Sequence, residues 1–141
     1  MRQIFVDSSG WIALYNRRDA HHARAAEALA GLRNTAVSLV TSDYVIDEAL
    51  THIRAWGSHA NAVTFGAAVR DHPLIEWVDI DEVTWAAAWD IFVRYDDKRF
   101  SFTDCTSFAI MRARTIREAF TFDADFEQMG FRLWPGAEAP R

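Results

Sequence analysis

Short apolar runs alternate along this chain with amphipathic stretches, and the alternation predicts a repeating order of strand and helix. Gln3 to Val6 reads as a first buried strand, closed by Asp7-Ser8-Ser9-Gly10, after which Ser8 or Ser9 can cap the apolar turn Trp11 to Leu14. An alanine-rich helix opens at Asp19 and runs to about Leu32, and Ala36 to Val40 is a second strand. Thr41 or Ser42 starts a helix with Val45, Ala49, Ile53 and Trp56 at the spacing of one buried face, and Gly57 stops it. His59 to about Arg70 forms another helix, and His72-Pro73 ends it ahead of a third strand, Leu74 to Val78. Asp81 caps a helix whose apolar positions are Val83, Trp85, Ala88, Trp89 and Phe92. Beyond the charged loop Asp96 to Arg99, a helix from about Thr103 carries Cys105, Phe108, Ala109, Ala113 and Ile116. It leads to a strand from Phe120 to Phe122, with a short last strand around Phe131 to Trp134.

Strand and helix in this order define an α/β fold on a mainly parallel sheet. The chain has 141 residues, 50% of them hydrophobic, which suits one well-formed core. We expect a single domain over residues 1–134 and a loose tail over 135–141. No apolar run approaches the ~18 residues needed to span a bilayer, so no membrane partner and a cytoplasmic location are expected. The one cysteine, Cys105, excludes an internal disulfide and a thiolate zinc site, and reads as a small core residue.

A net charge of -5 opposes general polyanion binding, yet the cations are 14 arginines against one lysine, Lys98. Arginine suits phosphate recognition, while genome base composition yields the same bias. Arg17, Arg18, Arg94, Lys98, Arg99, Arg112 and Arg114 are candidates for contact with a phosphate backbone.

Two apolar runs end on an aspartate: Ile4-Phe5-Val6-Asp7 and Phe120-Thr121-Phe122-Asp123. Ligands of open α/β sheets bind outside the carboxyl ends of the strands, so these two acids can face one crevice. Glu48 and Asp104 lie near helix starts, where they can join it. Each acid also has a purely structural use. Asp7 can cap a helix, Ser101-x-x-Asp104 fits a capping box, and Asp123-Ala124-Asp125 fits a turn. Of Asp47 and Glu48, the latter borders the apolar stripe and can reach a cleft, whereas Asp47 points to solvent. Carboxylates gathered this closely repel one another unless a cation joins them, and hard oxygen donors without histidine or thiolate suit Mg²⁺ or Mn²⁺. His21-His22 cannot easily turn both rings to one ion, because adjacent helical residues diverge by about 100°.

Asp7-Ser8-Ser9-Gly10, Ile46-Asp47-Glu48-Ala49, Ser101-Phe102-Thr103-Asp104-Cys105 and Thr121-Phe122-Asp123-Ala124-Asp125-Phe126 occur in this order within a short chain. The set resembles a PIN domain, and more narrowly the VapC-type ribonuclease toxins of toxin–antitoxin pairs, from Gln3 to about Leu133. The resemblance implies a three-layer α/β/α sandwich and a Mg²⁺-dependent endoribonuclease, the toxin of a type II pair. It places the catalytic acids on Asp7, Glu48, Asp104 and Asp123, with Asp125 as an occasional fifth. The metal would fall to Asp7, Asp104 and Asp123, with Glu48 binding directly or through water. Ser8 and Ser101 would be orienting hydroxyls. Alanine at 124, often a larger basic residue in relatives, removes one phosphate contact. An RNA substrate, a cognate antitoxin, a homodimer, and products with a 5′ phosphate and a 3′ hydroxyl are implied as well. Two other readings of the same acids are a catalytically silent PIN-like binding module and a Mg²⁺-dependent phosphatase or receiver domain. The latter needs an active-site lysine, and Lys98 is the only one available. The six tryptophans suit core and interface, and Trp11 and Trp56 are the two to test for partner binding.

Overall fold

The computed structural model describes residues 1–136; the expected loose tail lies, beyond Gly136, outside the described residues. Five strands form one parallel sheet: β1 (Arg2–Val6), β2 (Val37–Ser42), β3 (Ile75–Val78), β4 (Glu118–Phe120) and β5 (Arg132–Trp134), in the order β3-β2-β1-β4-β5. In β1, the consecutive residues Ile4, Phe5 and Val6 are all buried. Successive strand side chains point to opposite faces, so both faces are covered, as the three-layer α/β/α arrangement requires.

The helices are α1 (Ser8–Tyr15), α2 (His22–Gly31), α3 (Asp43–Trp56), α4 (His59–Asp71), α5 (Glu82–Arg94), α6 (Phe102–Arg114) and the single turn α7 (Asp125–Gln128). α3 packs against α1 and α4, and α5 against α6. The starts of four helices follow local chemistry: the side chains of Ser42, Ser58, Asp81 and Ser101 accept backbone N–H bonds from Val45, Asn61, Thr84 and Asp104.

Four expectations are corrected. The strand placed at Phe120 to Phe122 lies two residues earlier and ends at Phe120. From there the chain turns, with the Thr121 hydroxyl accepting the Asp123 N–H, so Asp123 stands three residues past the strand. Neither Ser8 nor Ser9 caps α1; Asp7 occupies the cap position and both serines lie within the first turn. On α5 only Ala88 and Ile91 are buried, while Trp85, Trp89 and Phe92 are 43%, 47% and 43% exposed. Trp11 is the reverse case, since its ring is in the core and its Nε1 donates to the Thr41 hydroxyl at 3.1 Å. Trp56 stands out in solvent.

Candidate active site

The order of the sheet reverses between β1 and β4: the chain works outward from β1 through β2 to β3, then returns to the other side of β1 for β4 and β5. A crevice opens at such a switch point, outside the carboxyl ends of the diverging strands. Asp7 follows β1 there, and its N–H continues the ladder by donating to the Phe120 carbonyl at 3.1 Å. Asp123 enters from the β4 side. Gly10 makes this closeness possible, because a Cβ at that position would lie 2.6 Å from both the carbonyl oxygen and the ring of Phe120.

Asp7 is almost wholly buried. Its Oδ2 accepts hydroxyls from Thr121 at 3.0 Å and Ser9 at 3.1 Å, and its Oδ1 faces the Ser8 hydroxyl at 3.5 Å. Ser8 also donates to Glu48 on α3 through a short hydrogen bond, so one hydroxyl links the two acids. Asp47, one residue earlier, is exposed. Asp104 takes part in the capping box that its spacing with Ser101 suggested: its N–H donates to the Ser101 hydroxyl, and its Oδ2 accepts the Ser101 N–H. The structural use and a place in the site are compatible, since Oδ1 is not needed by the cap. Asp123 Oδ1 accepts the Asp125 N–H at 2.9 Å, folding Asp125 back toward the cluster.

Oxygens of Asp104, Asp123 and Asp125 lie within 4.8 Å of one another. This trio includes Asp125 and not Asp7, whereas the sequence placed Asp7 with Asp104 and Asp123. Asp7 and Glu48 remain near enough for their charges to act on Asp104. None of the ion pairs among the described residues, Arg2–Glu118, Lys98–Asp97 and Arg114–Glu76, involves a site acid.

Burial and mutual repulsion show in the proton affinities. Desolvation pushes the Asp7 carboxyl up to about 6, with Glu48 adding repulsion, against the lowering effect of hydrogen bonds from Ser8, Thr121 and Ser9. Asp104 is pushed up to about 7, first by burial and then by the charges of Asp7, Asp123 and Glu48. Asp125 is raised by burial and by Asp123, and Lys98 partly opposes the shift.

Sequence reasoning missed Thr121 and the use of Ser9, which both hold Asp7 Oδ2; the signal was a hydroxyl shortly past each strand. It also missed a rim beside Asp123. The His21 ring stacks on Phe122 at 4.3 Å between centroids, with the planes 3° apart, and the Arg24 guanidinium lies 5.8 Å from the centre of the Phe122 ring. His22 turns away and its Nδ1 meets the Ala13 carbonyl at 2.7 Å, so the two histidines face different partners, although His21 is the residue before α2 and not within it.

Residues 4–132 match the PIN-domain family model. The chain belongs to the PIN-domain family. VapC20 of Mycobacterium tuberculosis, described as a 23S rRNA-specific endonuclease, is 37% identical over 128 residues, which cover 91% of this chain and 95% of the relative. The crystal structure of VapC20, described as a Sarcin-Ricin loop cleaving toxin, superposes with a TM-score of 0.84 at 36% identity over 91% of this chain and 95% of that one. The PIN fold is also shared with VapBC2 from Rickettsia felis, solved bound to a DNA fragment from its promoter. That match has a TM-score of 0.66 at 10% identity, over 93% of this chain and 96% of that one.

Proposed function

We propose that this chain is a metal-dependent endoribonuclease, the toxin of a type II toxin–antitoxin pair, with Asp7, Glu48, Asp104 and Asp123 as its catalytic acids and Asp125 as a fifth member. The observation that carries the reading is the convergence of Asp104, Asp123 and Asp125 within 4.8 Å, backed by Asp7 and Glu48, with none of these acids in an ion pair among the described residues. Gathered carboxylates repel one another unless a cation joins them, and an all-oxygen donor set fits Mg²⁺ or Mn²⁺. Asp7, Asp104 and Asp123 would hold the ion, with Glu48 directly or through water and Asp125 beside them. A bound ion supplies a lowered pKa for a coordinated water and countercharge for the phosphate.

The side chains divide the remaining work. Glu48, steadied by Ser8, takes a proton from the attacking water. The water oxygen bonds to phosphorus as the bond from phosphorus to the 3′ oxygen breaks on the opposite side, and that oxygen takes a proton from solvent water while Glu48 returns its own to solvent. The products are a 5′ phosphate and a 3′ hydroxyl. The kinship with VapC20 makes a 23S rRNA fragment carrying the sarcin-ricin loop the substrate to test. End-group analysis of the cleaved fragment checks the chemistry: 5′ phosphates are expected, and 2′,3′-cyclic phosphates would mean that the ribose 2′-hydroxyl attacks instead.

The partners follow from two apolar surfaces. A cleft of about 490 Å³ between α1, α2 and the β2–β3 edge, lined by Trp11, Leu14, Leu29, Val37 and Leu74 among others, offers an antitoxin's apolar segment a seat. Exposed Trp85, Trp89 and Phe92 stack along α5 and meet Phe102, and we assign this patch to a homodimer contact. Native mass spectrometry of the co-expressed complex is expected to show two toxin chains with antitoxin, reduced to one by Trp85→Glu/Trp89→Glu. An unchanged dimer in that variant would move the interface elsewhere. No helix among the described residues is long and apolar enough to cross a membrane, which supports a cytoplasmic location.

A further inference from the structure

At the end of the sheet away from the acids, a cleft of about 490 Å³ opens between the C-terminus of α6 and the starts of β4 and β5. Arg112, Arg117 and Arg132 line it with Thr115, Gly130 and Phe131, and no acid is among the lining residues. None of the three arginines belongs to an ion pair among the described residues. Glu118 feels the charge of Arg132 but is taken by Arg2 through two hydrogen bonds of 2.9 and 2.8 Å. Backbone donors are committed as well, because the N–H groups of Thr115, Ile116, Gly130, Phe131 and Arg132 all bond to carbonyls. Whatever this cleft recognises meets guanidinium groups, which suit phosphate oxygens.

We propose that this arginine cleft binds the phosphate backbone of the RNA substrate at a point remote from the bond that is cut. The proposal rests on the ribonuclease reading, and two physical points favour RNA over an acidic peptide. A chain of net charge -5 with a carboxylate cluster at its active site repels a polyanion, so its affinity must come from cations. Cations beside the acids would neutralise them and compete with a metal ion; cations held far away do neither. Asp104 and Thr115 lie at opposite ends of α6, eleven residues apart, which is ~16 Å at ~1.5 Å per residue. That is about twice the Debye length of ~8 Å at physiological salt, so solvent weakens the coupling between the exposed arginines and the acids. A stacked strand rising ~3.4 Å per nucleotide covers the distance in about five nucleotides. A folded RNA can therefore engage both ends, and a fragment of three nucleotides cannot.

The test is equilibrium binding, measured by fluorescence anisotropy over a range of salt concentrations, of a folded sarcin-ricin fragment and of a trinucleotide. The proteins are the wild-type chain, Arg117→Ala/Arg132→Ala and Arg117→Lys/Arg132→Lys. All three arginines are exposed at the surface, and circular dichroism of each variant confirms its fold. The alanine pair is expected to weaken binding of the folded RNA about tenfold and to flatten the slope of log affinity against log salt by about 1.5, while trinucleotide binding changes less than twofold. The lysine pair is expected to keep most of the slope. Unchanged affinity and slope for the folded RNA would overturn the proposal, as would an equal loss for the trinucleotide. Binding is read without cleavage, so a failure of the ribonuclease reading shows separately, as absence of cut RNA with the wild-type chain.

Discussion

Replacing Asp104 by asparagine is expected to lower the rate of RNA cleavage by at least about 100-fold at saturating Mg²⁺ while leaving the fold in place. Losing one properly placed charged group at a phosphoryl-transfer centre typically costs a few kcal/mol of transition-state stabilisation, which sets the scale. Asparagine is the informative replacement because Asp104 has two uses. Its Oδ2 accepts the Ser101 N–H that closes the start of α6, and an amide oxygen can still do that. Only the charge and the second carboxylate oxygen are lost. Alanine would also remove the return bond to the Ser101 N–H and cost ~1 kcal/mol of stability, confusing the two roles. The rate is to be read beside thermal unfolding; a variant that melts early would not count as evidence about the site.

The second large effect concerns stability. In the absence of divalent cations, the protein is expected to become less stable as pH rises from about 4 to 8, contrary to the usual behaviour of a salt-bridged acid. Asp7 and Asp104 have native proton affinities raised to about 6 and about 7 from an ordinary value of 3.8. Between the unfolded and folded values the native state holds more protons than the unfolded chain, so stability is fully present below pH 3.8 and is lost as pH passes through 6 to 7. For Asp7 alone this amounts to something on the order of 3 kcal/mol. Divalent cation reverses the trend, because it binds the ionised carboxylates of the native state and not the unfolded chain. Melting curves at pH 5 and pH 8 with and without Mg²⁺ test this. The expected result is a small increase in Tm at pH 5 and a larger one at pH 8. Equal increases at both pH values would mean that protons and cation do not compete for these acids.

Much of this was legible in the sequence for identifiable reasons. The parallel sheet announced itself through runs such as Ile4-Phe5-Val6, apolar on both faces, and the helices through capping residues such as Ser101 and Asp81. Glu48 was separable from Asp47 by helical angle alone, and Ser8 does bond to Glu48. What the sequence hid was tertiary in origin. The end of β4 is set by the Thr121 hydroxyl, which turns the chain toward Asp7, a residue 114 positions away in sequence. The aromatic positions of α5 look like a core stripe, yet Ala88 and Ile91 make the buried contact and the larger rings face out. The nearness of Asp125 to Asp104 depends on the Asp123–Asp125 turn and follows from no spacing rule.

The central claim is that these carboxylates form one cation-dependent centre for cutting RNA. It is tested most directly by incubating a purified sarcin-ricin fragment with wild-type protein and with Asp104→Asn, each with Mg²⁺ and with a chelator. Cleavage by the wild type with Mg²⁺ alone, at a defined position and with none in the other three samples, is the expected result. Equal cleavage in the presence of chelator, or by Asp104→Asn with Mg²⁺, would contradict the account.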